Sequence, residues 1–142
     1  MNSISRISAV LTLSFAAFGQ SSRVLTLIQQ GQTALDGGDF EHAVADFQQA
    51  RELAPDSLKA NRGLVLSYLQ AGDLRDAAQV GTEALSRWPN DAQLQHWLGL
   101  VHFKAGQNAR AQDLLEQSAK TDGRHFDIHF DLSRTPLHAS GR

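Results

Sequence analysis

The sequence predicts an all-α fold, a stack of three helix hairpins followed by one further short helix. The main evidence is a repeat of 34 residues, and the second is that apolar residues recur at helical intervals within each repeat. The residues related by the 34-residue spacing are Gly38, Gly72 and Gly106; Ala43, Ala77 and Ala111; Ala50 and Ala84; and Pro55 and Pro89. We therefore predict repeats over about residues 24–57, 58–91 and 92–125.

The first repeat reads as two helices joined by a tight turn. In VLTLIQQGQTALD the apolar residues recur every three or four positions, and Gly37-Gly38 then ends the run as a helix C-cap does. Asp39 is placed to cap the second helix, FEHAVADFQQAREL, through its carboxylate. Pro55 ends that helix, because proline cannot continue a helical hydrogen-bond ladder.

The second and third repeats follow the same plan. KANRGLVLSYLQ, a turn at Gly72, and LRDAAQVGTEALSRW lead to a stop at Pro89. DAQLQHWLGLVHFK, a turn at Gly106, and NARAQDLLEQSAK form the third repeat. A single hairpin cannot bury its apolar face alone, so the three are expected to stack on one another.

The segment HFDIHFDLSR aligns with the first helix of the third repeat. A shift of 34 residues places Leu94 on Ile128 and Leu98 on Leu132. We therefore predict a partial fourth repeat over residues 126–134, a helix that caps the last hairpin. Pro136 ends it, because the residue before a proline avoids the helical region, and residues 135–142 are predicted to be a flexible tail.

The same segment invites two other interpretations. His125 and His129 are one helical turn apart and could both face a metal ion, but Asp127 falls on another side of the helix. An edge strand would need a second strand to pair with, and the chain has none to offer. We predict neither a metal site nor a strand here.

The N-terminus differs in composition from the repeats. MNSISR is followed by the uncharged run 7–18 and by the small residues Ala17 and Gly19, which is the layout of a secretory signal. We predict a signal peptide over residues 1–19, cleaved before Gln20, and an exported protein, periplasmic or secreted, that has no membrane association after cleavage. The alternative is that this run forms an N-terminal core helix.

The repeats resemble the tetratricopeptide repeat family, whose signature is W-x2-L-G-x2-Y followed by Ala, Phe, Ala and Pro at fixed offsets. The residues that carry the resemblance are Leu27, Gly31, Ala34, Ala43, Phe47, Ala50 and Pro55; Leu64, Tyr68, Ala77, Ala84 and Pro89; and Leu98, Gly99, Ala111 and Leu115. The departures are Gly81 in place of Phe, and His102, Ser118 and Gly123. The resemblance implies a domain over residues 20–134, a right-handed α-solenoid of three hairpins plus a C-terminal capping helix.

The resemblance also implies a protein-interaction function, with the first helices of the hairpins lining a concave groove. The side chains expected to contact a partner there are Leu25, Ile28, Gln32, Lys59, Arg62, Leu69, His96, Phe103 and Lys104. Leu35, Leu66 and Leu100 share the register, and for Leu66 and Leu100 the equal alternative is that they complete the core between hairpins. An apolar groove with basic positions suits an extended or helical peptide that carries an acidic group.

Other classes of function find little support in the sequence. The formal net charge of −2 argues against a nucleic-acid binder, and the absence of cysteine excludes disulfides and thiolate chemistry. There is no phosphate-binding glycine loop and no nucleophile motif, so we predict no enzyme activity and no cofactor. The alternative is a structural protein of the cell envelope that assembles with itself, as a homodimer paired through the first hairpin.

Overall fold

The computed structural model describes the backbone over residues 4–121 and the side chains over residues 19–121. This part of the chain is all-α, as predicted, and forms three helix hairpins. The helices are α1 (Ile4–Asp36), α2 (Phe40–Leu53), α3 (Leu58–Ala71), α4 (Leu74–Arg87), α5 (Ala92–Lys104) and α6 (Asn108–Thr121). The predicted capping helix at 126–134 and the tail at 135–142 lie outside the described residues, as do His125 and His129.

Helix α1 is the longest, with 33 residues, and it passes through Gly19 and Gln20 without a break. The predicted cleavage point therefore lies inside a continuous helix, and the signal peptide stays a prediction. Among the described residues, no helix combines the length and the apolar character that crossing a membrane requires.

The three hairpin turns are built in the same way. Gly38, Gly72 and Gly106 have φ angles of 77°, 85° and 76°, the left-handed region that glycine enters at no steric cost. The residue after each glycine donates its backbone N–H back into the preceding helix, as from Asp39 to Ala34 O at 2.8 Å. This pattern satisfies carbonyl groups that the helix end would otherwise leave unpaired, and it confirms the predicted turns.

Side chains cap α2, α3 and α5, whereas Asp73 before α4 makes no such hydrogen bond. The Asp39 carboxylate accepts a hydrogen bond from His42 N at 3.2 Å, which confirms the predicted cap of α2. That backbone hydrogen bond, together with one from the His42 ring, holds the pKa of Asp39 below its ordinary value. Ser57 and Asp91 cap α3 and α5 in the same manner.

Two buried amides fix the junctions between successive hairpins. Asn61 Nδ2 donates to Pro55 O at 3.1 Å, and Gln95 Nε2 donates to Pro89 O at 2.7 Å. The two side chains stand 34 residues apart and are 2% and 3% exposed, so each is a buried polar group with its hydrogen bond made. The same kind of hydrogen bond therefore recurs where one hairpin passes to the next.

Small residues let the helices approach closely. Ala43, Ala77 and Ala111 are fully buried at equivalent positions of α2, α4 and α6. The ring of Phe47 lies against Gly31 of α1 and Gly63 of α3, where a Cβ on Gly63 would come within 2.3 Å of the ring. In the last hairpin Leu115 occupies the same position against Gly99. At these places a large side chain packs directly against a glycine of a facing helix, which lets the two helices approach closely.

The helices form two layers. The odd-numbered helices pack side by side, with α3 against both α1 and α5. Open cavities separate the even-numbered helices. One of about 420 Å³ lies beside α2 and α4, and one of about 640 Å³ lies beside α4 and α6. The odd-numbered helices are thus the inner layer and the even-numbered helices the outer layer. We call the exposed face of α1, α3 and α5 the inner surface.

Candidate interaction surface

The inner surface carries the largest exposed apolar side chains of the described residues. Leu25 on α1 is 59% exposed and Phe103 on α5 is 36% exposed, and both were predicted groove residues. Ile28 is half-buried, with part of its side chain packed against the core around Phe47. Leu25 and Phe103 stand on different helices, α1 and α5.

Three further predicted residues are exposed and polar. Lys59 on α3 and Lys104 on α5 form no ion pair within residues 19–121, so their charges face solvent. Gln32 on α1 donates its amide to Asp36 Oδ1 at 2.7 Å. The described inner surface thus combines apolar side chains with two uncompensated positive charges.

Arg62 is placed differently from the other predicted basic residues. Its guanidinium donates to both carboxylate oxygens of Asp91, from Nε to Oδ1 at 3.1 Å and from Nη2 to Oδ2. The Asp91 side chain is only 8% exposed, and Oδ1 also accepts the N–H of Leu94 at the start of α5. Arg62 therefore joins α3 to α5, and its charge is neutralised inside the protein.

The two remaining predicted residues, Leu69 and His96, are buried and half-buried respectively. Leu69 is 3% exposed and packs with Ala77, Leu98 and Val101, so it belongs to the core and offers no surface to a partner. Helical register places Leu69 on the inner side, but α5 packs close enough to cover it. His96 is half-buried on α5.

Leu35, Leu66 and Leu100 are half-buried. Leu35 packs against the core around Phe47, and Leu66 and Leu100 pack against the core around Leu98. Leu66 and Leu100 therefore contribute to the core, and because each keeps some exposed area its role in the groove stays a prediction.

Asp91 is the residue that sequence reasoning missed. Its position before α5 marks it as an N-cap, which is a local signal, but its pairing with Arg62 joins residues 29 apart in sequence. The described residues contain no group of three or more His, Cys, Asp or Glu side chains arranged to hold a metal ion. The exposed apolar and basic side chains favour binding of a protein segment.

Comparison with known proteins agrees with this architecture. Two tetratricopeptide repeat profiles match residues 28–92 and 68–129. The chain belongs to the tetratricopeptide repeat family. Together the matches span all three repeats, and the second continues to residue 129, into the segment predicted to cap the stack.

Solved structures of the family superpose closely on the chain. The TPR domain of Arabidopsis OM64 gives a TM-score of 0.79 at 13% identity, covering 84% of this chain and 98% of that one. The second TPR domain of human RPAP3, solved in complex with the HSP70 peptide SGPTIEEVD, gives 0.76 at 13% identity, covering 82% and 97%. At such identities the likeness shows the fold.

One curated relative is an enzyme. The bifunctional uridylyltransferase/uridylyl-removing enzyme of Streptomyces coelicolor is 36% identical over 86 residues, which is 59% of this chain. The chain spans only 10% of that enzyme's length. The shared part is a stretch of helical repeats, which carries no catalytic assignment to this chain.

Proposed function

We propose that this tetratricopeptide repeat protein is an interaction module whose inner surface binds an extended or helical segment of a partner protein. The observation that carries the proposal is the combination of Leu25 and Phe103, exposed apolar side chains, with Lys59 and Lys104, exposed cations, on the inner helices. Apolar anchors give such a surface affinity, and the cations select a segment that bears carboxylates. The HSP70 peptide bound by the RPAP3 domain contains such carboxylates, which supports this chemistry.

The proposal includes a place of action. The signal-like residues 1–19 suggest an exported protein, so the partner is sought among periplasmic or secreted proteins. N-terminal sequencing of the mature protein from its native source tests this, since export with cleavage gives a chain that begins at Gln20. A mature chain that begins at residue 1 or 2 contradicts the cleavage.

Site-specific photocrosslinking tests the binding surface. A crosslinking residue at Lys59 should capture a partner, whereas the same residue at Gln49, exposed on the outer helix α2, should not. Lys59→Glu should then reduce the crosslinking from a probe at Leu25 without lowering the free energy of unfolding, because the helix dipole favours an acidic residue in the first turn of α3. Arg62 is a poor site for this test, because replacing it also breaks the link to Asp91. Equal capture from Lys59 and Gln49 would contradict the inner surface as the binding site.

Self-assembly remains the second candidate, and the exposure of Leu25 on the first hairpin is the observation that favours it. Light scattering of the purified protein over a range of concentrations separates the two. A mass that stays at one chain supports the interaction module, whereas a dimer that is lost in Leu25→Glu supports self-assembly.

A further inference from the structure

The cavity between α4 and α6 lies on the outer layer, away from the inner surface. Its floor is apolar, with Leu74 and Ala78 from α4 and the fully buried Val101 from α5. Its rim carries Arg75 at the start of α4, His102 near the end of α5 and Arg110 at the start of α6. A volume of about 640 Å³ is large enough for a few side chains of a bound segment.

The two guanidinium groups are not engaged by the protein itself. Within residues 19–121, neither Arg75 nor Arg110 forms an ion pair or a side-chain hydrogen bond. The carboxylate that shares the lining, Glu83, is already bound by Arg51 from the neighbouring hairpin. Both arginines also stand in the first turn of a helix, where the positive end of the helix dipole disfavours a cation. The local folding energetics therefore do not explain why cations stand here.

The repeat supplies an internal comparison for this cavity. The cavity between α2 and α4 stands 34 residues earlier, and there Tyr68 and Asp76 take the places of His102 and Arg110. Glu41 takes the place of Arg75 in the sequence. Burial, and then the carboxylates of Asp76 and Asp73, raise the pKa of the Tyr68 hydroxyl. The lining of the first cavity carries the carboxylates of Glu52 and Asp76 beside Arg51, which is paired with Glu83, whereas the described lining of the second carries two unpaired guanidinium groups. The repeat architecture alone therefore does not dictate the charge.

We propose that the cavity between α4 and α6 is a second docking site, which binds an acidic segment of a partner protein with an apolar side chain seated on the floor and flanking carboxylates paired with Arg75 and Arg110. Charge complementarity selects the occupant, because the rim offers two uncompensated guanidinium groups and guanidinium pairs with carboxylate through paired hydrogen bonds. The site is independent of the proposed inner-surface function. A chain with both surfaces can hold two segments at once.

The test is an NMR titration of the full chain, labelled with ¹⁵N, with two matched peptides. Acetyl-Glu-Leu-Glu-amide should shift backbone amide signals around Ala78 and Val101 in a saturable manner. Acetyl-Gln-Leu-Gln-amide, which has the same shape without the charges, should bind markedly less. Equal shifts from both peptides, or no shifts at these positions, would overturn the proposal.

Two variants test whether the acidic peptide binds through Arg110 or through the net charge of the protein. Arg110→Asp introduces the residue that stands at the equivalent position, Asp76, in the neighbouring cavity. The fold should persist, because the helix dipole favours an acidic residue in the first turn of α6. This variant should weaken the acidic peptide by about fivefold or more, since one attraction is lost and one repulsion gained. Arg23→Asp changes the net charge equally on α1, which does not line the cavity, and should have little effect. Equal weakening by both variants would reduce the effect to net charge and overturn the site.

A third variant separates this site from the inner surface. Lys59→Glu should leave the peptide-induced shifts around Val101 unchanged, because Lys59 does not line the outer cavity. If Lys59→Glu abolishes those shifts, the acidic peptide is bound on the inner surface and the second site is refuted while the proposed function stands.

Discussion

At the residue scale, hairpins are joined by pairing a large side chain with a small one. At the first junction Phe47 of α2 lies against Gly63 of α3. At the second junction the order is reversed, since Gly81 stands in the place of Phe47 and Trp97 in the place of Gly63. Leu98 fills the room that Gly81 leaves, with its Cδ1 2.9 Å from where a Cβ would be. At the second junction the larger side chain therefore comes from α5, and it is Leu98 rather than Trp97 that packs against the glycine.

Gly63→Ala should destabilise the protein, although alanine is the better helix former. A Cβ at Gly63 would stand 2.3 Å from Cε1 of the Phe47 ring, which is 1% exposed and has no room to move. We expect the free energy of unfolding to fall by about 1–3 kcal/mol, the usual cost of overpacking a core. Urea denaturation followed by circular dichroism measures the change.

Phe47→Leu supplies the control for that prediction. Leucine stands at the same repeat position in the third hairpin, as Leu115 against Gly99, so the change is compatible with the fold. In the double variant the smaller leucine side chain should accommodate the new methyl group. The loss in the free energy of unfolding of the double variant should therefore be smaller than the sum of the losses of the two single variants. Strict additivity would show that the loss in Gly63→Ala does not arise from contact with Phe47.

At the element scale, charged side chains tie successive hairpins together. Arg51 of α2 pairs with Glu83 of α4, Arg87 of α4 pairs with Asp56 after α2, and Arg62 of α3 pairs with Asp91 before α5. The Arg62–Asp91 pair differs from the others because Asp91 is nearly buried and also caps α5. This pair is expected to contribute most to stability, since surface pairs contribute little.

Asp91→Ala should therefore cost more than the loss of a cap alone. The variant leaves the first N–H groups of α5 uncapped and the half-buried Arg62 without its partner, and we expect a loss of about 2–3 kcal/mol in the free energy of unfolding. Ser57→Ala removes the cap of α3 without breaking an ion pair and should cost about 1 kcal/mol. Similar losses in the two variants would mean that the ion pair adds nothing.

The link between Arg51 and Glu83 should make stability depend on pH. The hydrogen bond from Arg51, and then that from Gln79, holds the pKa of Glu83 below its ordinary 4.5. Because the folded pKa is the lower one, the stabilisation is fully present above about pH 4.5 and is lost as the pH falls through the folded pKa. Glu83→Gln should lower stability at pH 7, and its difference from the unmodified protein should vanish in strong acid.

Denaturation curves collected between pH 2 and pH 7 measure that difference. Asp113→Asn is the matched control, because Asp113 is exposed, lies beyond the first turn of α6 and forms neither an ion pair nor a side-chain hydrogen bond within residues 19–121. It should follow the unmodified protein across the range. A Glu83→Gln curve parallel to the unmodified one would contradict the assignment.

These links also show where sequence reasoning ends. The hairpins, their glycine turns and the cap at Asp39 follow from local patterns, because each depends on residues within one or two turns of helix. Leu25, Lys59 and Phe103, which the register predicted to line the groove, are exposed on the inner helices, and their contact with a partner stays a prediction. The ion pair of Arg62 and the burial of Leu69 depend instead on how α3 packs against α5. The size of the second outer cavity depends on how far α4 lies from α6. Neither distance is encoded in the spacing of residues along one helix.

At the scale of the whole molecule, the main helix contacts of the described residues lie within a hairpin or between adjacent hairpins, so stability is expected to vary along the stack. Leu98→Ala opens a cavity between α4 and α5, where Leu98 is 3% exposed and packs with Leu69, Ala77 and Val101. Such a truncation costs about 2–5 kcal/mol. The loss should weaken the attachment of the last hairpin more than the packing of α1 against α2.

Native-state hydrogen exchange should reveal this gradient. In Leu98→Ala the backbone amides of α5 and α6 should exchange faster than those of α2, because opening of the last hairpin no longer requires breaking the full α4–α5 contact. Leu27→Ala, a truncation of a core residue on α1 that is 7% exposed, should produce the opposite pattern, with protection lost first in α1 and α2. If both variants lower protection equally in every helix, the three hairpins unfold as one cooperative unit. The inner surface, which is built from all three, would then be lost in a single step.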